Sequence, residues 1–237
     1  MPLTDPWGIS LLIGFFGLFG LMVSWMIRQE RFRAKQHDAR AAALDFRPVP
    51  HPSPALIGQI LALHTLKPQQ ILEARNIYYK HTLEADLYLF DLWDTTGDRA
   101  VLLAENAVAV CLSPNVSVPR FSLIPRQAGE SQLSYTAALN LSRIVTGLQL
   151  LAFPDCPEFN HRFLIAGLEE TAVRAFLTPE LRGQLARIGQ FHIEAAQSLI
   201  TLSEVEPQIC SEAERVTLIR CQLATGITLA RWLSVAR

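Results

Sequence analysis

The sequence predicts an α+β protein: one N-terminal transmembrane helix, then an antiparallel β-meander with flanking helices and a long C-terminal amphipathic helix. Three observations carry this expectation. Trp7 to Ile27 is an apolar run without a charge, residues 71 to 125 alternate β-rich runs with turn chemistry, and residues 212 to 235 carry apolar side chains at helical spacing. A chain of 237 residues forms one large domain or two small ones, and either buries a sizeable core.

Half the residues are hydrophobic, a high share for a soluble chain unless the apolar content is concentrated. The run WGISLLIGFFGLFGLMVSWMI concentrates it, with Ser10 and Ser24 as its only polar side chains besides the two indoles. At 1.5 Å per residue it extends roughly 30 Å as a helix, the thickness of a bilayer's hydrocarbon core. Trp7 and Trp25 lie near its ends, where interfacial indoles sit. A cleaved secretory signal is the rival reading, and it needs a basic segment before a shorter apolar core. Here the neutral PLTDP precedes the run and RQERFRAK follows it, so an uncleaved anchor is expected. Arg28, Arg31, Arg33 and Lys35 are expected at the membrane surface. By the positive-inside rule they place the N-terminus outside and the rest in the cytoplasm, at a bacterial inner membrane.

Residues 1–27 are thus the N-terminal segment and anchor. Residues 28–52 form a basic juxtamembrane helix and a proline-rich linker, FRPVPHPSP, whose prolines favour extended backbone. Residues 53–237 form the cytoplasmic domain, divisible into 53–150 and 151–237. Ser53 and Pro54 begin a helix through ALIGQILALHTL. ILEARNIYYKHTL, LYLFDLW, AVLLAENAVAVCL and VPRFSLI read as strands, with DTTGD as a hairpin loop in which Gly97 would supply a positive φ. A helix is expected over 133–146, ended by Gly147. FNHRFLIAG reads as a strand, EETAVRAFL and TPELRGQLARI as helices, the second capped by Thr178. QFHIEAAQ and SLITLSE read as a two-strand hairpin. In the last helix Val216, Ile219, Leu223, Ile227 and Ala230 share one face.

The stretches YLFDLWDTTGDRAVLLAENAVAVCLS, VPRFSLIPR and FNHRFLIAGLEETAVRAFLTPELRGQL, followed by the hairpin, resemble a loose group of uncharacterised bacterial membrane-anchored proteins. In that group a hydrophobic helix precedes a β-rich domain. A strand carrying Phe-Asp and an aromatic is followed by a Pro-Phe strand and a Leu-Thr-Pro helix start. This chain keeps Phe90 and Asp91 but continues with Leu92 and Trp93. The resemblance implies placement at a membrane and supplies no chemistry.

Catalytic signatures are weak. Asp91 to Gly97, DLWDTTG, is loosely similar to the aspartyl-phosphate motif, in which a carboxylate at a strand end attacks phosphorus. A further strand follows within a few residues instead of a βαβ unit, so Asp94 is expected to be a turn residue. The histidines at 37, 51, 64, 81, 161 and 192 lack H-x-x-x-H spacing. His161 and His192, with Glu194 or Asp155, would meet only if their strands pair. Cys111, Cys156, Cys210 and Cys221 form no C-x-x-C pair and fit scattered thiols in a reducing compartment. The sequons at Asn115 and Asn140 carry no weight in a cytoplasmic domain. Neither a G-x-S-x-G nor a Walker sequence occurs, no basic stripe suggests nucleic acid, and no cofactor is implied.

The expected function is therefore non-enzymatic: a single-pass accessory or interaction protein that positions a partner at the membrane, as a subunit of a membrane complex. The alternative is a membrane-tethered hydrolase whose site assembles only in three dimensions. Lipid is one expected partner. Ser10, Gly14, Gly17 and Ser24 fall near one helical face, where short side chains would admit another membrane helix or a second copy of this one.

Overall fold

A nine-stranded sheet, antiparallel throughout, organises the described residues in the order β1-β2-β3-β4-β9-β8-β5-β7-β6. Its strands are β1 (Arg47–Pro48), β2 (Leu72–His81), β3 (Asp86–Asp94), β4 (Val101–Cys111), β5 (Val118–Pro125), β6 (Gln149–Leu151), β7 (Phe163–Gly167), β8 (Phe191–Gln197) and β9 (Leu199–Glu204). The computed structural model describes residues 6–65, 69–126, 147–187, 191–204 and 210–235. The side chains of 6–14, 17, 26, 27, 29–31, 234 and 235 lie outside that description. The expected helix over 133–146 also lies outside the described residues.

β2, β3 and β4 follow one another as expected, but β5, the fourth strand of the expected meander, is not beside β4, and β1 comes from the expected linker. The β8–β9 hairpin then inserts between β4 and β5, so residues on both sides of position 150 build one sheet. Six helices complete the described fold: α1 (Pro6–Ala43), α2 (Pro54–His64), α3 (Pro157–Arg162), α4 (Glu170–Phe176), α5 (Pro179–Leu185) and α6 (Glu212–Val235). Period-2 alternation along the strands divides the apolar side chains between two faces. Leu87, Leu89, Val108, Val110, Leu202 and Ile193 look toward the last turns of α1 and helices α3 to α6. Phe90, Leu92, Ala107 and Ala109 look the other way and are covered by Ile60 and Leu63 of α2.

The expected face of α6 is the one that packs: Ile219, Leu223 and Ala230 are buried, and Val216 and Ile227 lie against the core. Gly226 lets the helix come close, since a Cβ there would stand 2.7 Å from Val110 Cγ2. Thr178 caps α5, its hydroxyl accepting from the Leu181 N–H at 3.3 Å.

Two expectations are corrected. FNHRFLIAG is not all strand: α3 takes it through Arg162, and β7 starts only at Phe163. Pro157 preorganises the first turn, and Asn160 closes the loop by accepting from Phe153 N at 2.9 Å and donating to Phe153 O at 2.6 Å. Gly97 is not among the positive-φ residues, whereas Gly147 is, at 69°. The hairpin loop turns instead on Asp94, whose carboxylate accepts from Thr96 N at 2.9 Å and Thr96 Oγ1 at 2.5 Å, as the turn reading requires.

α1 is one uninterrupted helix, so the juxtamembrane segment continues the apolar one as expected. Among the described residues no helix is long and apolar enough to cross a membrane. Many side chains of the run from Trp7 to Ile27 lie outside that set. The proline-rich segment is extended, yet it docks on the domain: Phe46 is buried, β1 pairs with Tyr78 and Tyr79, and Val49 N donates to Ile77 O at 2.9 Å.

Candidate functional site

Two observations about α1 set it apart from the other helices. Along its outer part Phe15, Phe16, Leu18, Phe19, Leu21, Met22, Val23 and Trp25 are all exposed. At 100° per residue these positions spread over about 220° of the helix circumference, and the remaining arc carries the exposed Gly20 and Ser24, so this stretch has no charged face that water would prefer. Its inner end, by contrast, is bolted to the sheet by a polar network.

That network rests on two irregularities in the strands. β2 and β4 each shift register beside Asp91, and the residues that absorb the shifts, Asn76 and Asn106, have φ of 52° and 53°. Asparagine tolerates this left-handed conformation better than other side chains with a Cβ. Asn76 Nδ2 donates to Asp91 at 2.7 Å, and Asn106 N donates to its other oxygen at 2.8 Å. His37 of α1 brings Nε2 to 3.3 Å from the same carboxylate. Burial pushes the Asp91 carboxyl above its ordinary range, with His37 and the two donors opposing.

The next residue, Asp38, accepts from Tyr78 Oη at 2.9 Å, and Arg40, about one turn on from His37, reaches two acids of β4 and α6. Arg40 Nε and Nη2 each donate to Glu212 at 2.7 Å, and Nη1 donates to Glu105 at 2.5 Å. The bond to Glu212 is the chief reason that the guanidinium is held more basic than usual, while burial opposes it. Arg215 completes the cluster, 2.7 Å from Glu204 and 3.9 Å from Glu105. Lys80 Nζ then donates to Leu44 O at 2.8 Å, a cation at the C-terminal end of the helix. Together these contacts fix the root of α1 against β2, β3, β4 and α6.

A second buried polar cluster lies under α2. Arg120 of β5 donates to Glu194 of β8 and, at 2.5 Å, to Leu63 O in the last turn of α2. His192 Nε2 stands 2.9 Å from Glu194 and 3.1 Å from Ser122 Oγ. Burial raises Glu194, but His192 and Arg120 outweigh it and hold the carboxyl at about 2. His64 lies edge-on to Phe90 with Nε2 unpartnered, and burial is the main cause that lowers it to about 4.

A serine, a histidine and a carboxylate in contact suggest nucleophilic catalysis, but a triad uses both ring nitrogens, one for the hydroxyl and one for the acid. Here a single nitrogen, Nε2, faces both. The arrangement serves to tie α2 to the sheet.

The sequence candidates are dispersed. His161 is exposed on α3 and His192 sits in β8; their chain segments do not pair as strands, and Asp155 is held by Arg182 at 2.5 and 2.7 Å. Among the described residues no group of three potential ligands could hold a metal ion. Arg28, Arg33, Lys35 and Ser24 are exposed on α1, while the side chains of Ser10 and Arg31, and the surroundings of Gly14 and Gly17, lie outside the description. Asp91, suspected for its place in an apolar strand, is instead the centre of the α1 socket. The socket's other members went unread in the sequence, although asparagines inside the strand runs ARNIYY and LAENAVAV signal bulges. No protein-family model, curated protein or solved structure matches this chain.

Proposed function

We propose that the chain is a single-pass, membrane-anchored accessory protein. In this reading α1 crosses the bacterial cytoplasmic membrane and carries the α+β domain on its cytoplasmic side, where the domain positions a partner protein within a membrane complex. The observation that carries it is the apolar stretch of α1 from Phe15 to Trp25, uncovered on every side although the root of the same helix is locked into the domain. A helix that is apolar over most of its circumference and uncharged over the rest is stable only inside protein or lipid. The exposed Arg28, Arg33 and Lys35 follow it toward the domain, which favours a cytoplasmic domain by the positive-inside rule. The small residues Ser10, Gly14, Gly17 and Ser24 offer a face for a partner helix.

Membrane association and topology test the proposal together. The full chain should stay in the pellet after alkaline carbonate extraction. A C-terminal alkaline phosphatase fusion should be inactive and a green fluorescent protein fusion bright. Release by carbonate would refute the anchor, and an active phosphatase would refute the orientation. Replacing Gly14 and Gly17 by Leu should keep insertion but lose co-purifying membrane proteins. Unchanged co-purification would confine recognition to the domain.

A further inference from the structure

The direction in which α1 leaves the sheet identifies one end of the domain as facing the bilayer. His37 stands over Asp91, whereas Leu44, seven residues later, offers its carbonyl to Lys80, whose register partner on β3 is Leu87. Toward its N-terminus, therefore, α1 advances from the Leu87 end of β3 toward the Asp94 end, where the β3–β4 hairpin turns. From His37 back to Ile27 the helix rises about 15 Å at 1.5 Å per residue, while from Asp91 to Asp94 the strand advances about 10 Å at 3.3 Å per residue. The hairpin loop, residues 95–100, continues beyond Asp94. Its tip thus lies at the same end of the domain as the apolar run.

Exposed aliphatic side chains gather at this end of the sheet, beside the exposed Glu73–Arg75 ion pair. Ile71 is 58% exposed, Val101 56% and Leu103 38%. Ile71 is fixed beside the hairpin loop, accepting from Thr95 N at 2.8 Å and donating to Thr96 Oγ1 at 2.8 Å. Trp93 adds a half-buried indole, its ring covered by the Arg75 guanidinium 5.1 Å from the centroid. Indole, guanidinium and aliphatic side chains together suit the boundary between headgroups and acyl chains. Asp98 and Arg99 balance each other in the loop, so contact would rest on apolar insertion more than on charge.

We infer that the β3–β4 hairpin end, Ile71, Trp93, Val101 and Leu103, is a second membrane contact that rests on the bilayer interface beside α1. The contact makes the domain a two-point mount, with α1 as the post and the hairpin as the foot that fixes its rotation and tilt. The inference rests on the proposed anchor, and its test separates the two. The full chain carrying Val101→Cys, Leu103→Cys, Phe19→Cys or Leu83→Cys is labelled with an environment-sensitive fluorophore. Each is reconstituted into phosphatidylethanolamine–phosphatidylglycerol vesicles containing a nitroxide lipid, with the labelled wild type as background for the native thiols. Phe19 reports the span, and Leu83, fully exposed in the β2–β3 turn, reports the far end of the sheet.

The expected result is strong quenching and a blue shift at Phe19, clear but smaller quenching at Val101 and Leu103, and none at Leu83. If Phe19 is quenched while Val101 and Leu103 match Leu83, the foot is refuted and the anchor stands. If Phe19 is not quenched, the anchor falls and the foot with it. Protection of Val101 that needs added membrane proteins and is absent in pure lipid would likewise overturn the lipid contact and assign the surface to a protein partner.

Discussion

At the scale of single residues, the consequential groups are charged or titratable side chains held away from water. His64 is neutral when buried, and its lowered pKa sets the sign of a pH effect. Above the ordinary histidine value of 6.5 the packing of α2 is undisturbed; as pH falls toward about 4 the unfolded chain gains a proton that the folded one resists. Stability should therefore drop between pH 7 and 4.5, by about 2–3 kcal/mol from this residue. Glu194, Arg120 and His192 face the same ring, and Asp91, raised by burial, contributes with the opposite sign. Urea midpoints of wild type and His64→Phe across that range isolate the effect, because the variant should lose this part of the slope.

Arg40 gives the second residue-scale prediction. Arg40→Met should cost on the order of 3 kcal/mol at neutral pH, because it leaves Glu105 partly buried with only the longer contact to Arg215. Glu170→Ala, which breaks an exposed helical pair with Arg174, should cost less than about 0.5 kcal/mol in the same urea titration.

At the scale of elements, α6 lies against the sheet through the absence of a side chain. Gly226→Ala would improve helix propensity by up to about 1 kcal/mol. The new methyl would meet Val110 Cγ2 at 2.7 Å and Leu202 Cδ1 at 3.3 Å, and a valine in a strand has little freedom to turn away. Overpacking should win, with a net loss of about 1–2 kcal/mol in thermal or urea unfolding. A stabilised variant would show that α6 can lift from β4 without penalty. α6 starts where Ser211 caps it, its hydroxyl accepting from Glu214 N at 3.4 Å while Glu214 accepts from Ser211 N at 2.7 Å, and its first turn brings Glu212 to Arg40, so the helix that closes the core also braces α1.

At the scale of the whole molecule, the proposed function depends on α1 being a rigid post. The prolines from Pro48 to Pro54 lie on the domain side of the socket, with Pro48 in the edge strand and Pro54 opening α2, so no proline joint separates the socket from the outer helix. Inserting a six-residue Gly-Ser segment between Lys35 and Gln36 should leave membrane association intact. It should abolish the quenching at Val101, because the hairpin would no longer be held at a fixed height and rotation. Retained quenching would mean that the hairpin binds lipid without help from the post.

Several elements were legible because short-range chemistry decides them. The uncharged run beginning at Trp7, the Ser53–Pro54 helix start, the Thr178 cap and the apolar face of α6 depend on neighbours within a turn or two, and sequence alone determined them. The strands from Leu72 to Pro125 were legible for the same reason, through composition and turn residues. Tertiary structure alone decided the rest. Inserting β8 and β9 between β4 and β5 is a choice of long-range pairing that no local period encodes. The boundary between α3 and β7 was settled by the burial of Phe159 against Phe153 and Phe163. The α1 socket joins residues as far apart as Arg40 and Glu212, and each becomes a partner only when the fold removes the water that would otherwise solvate it.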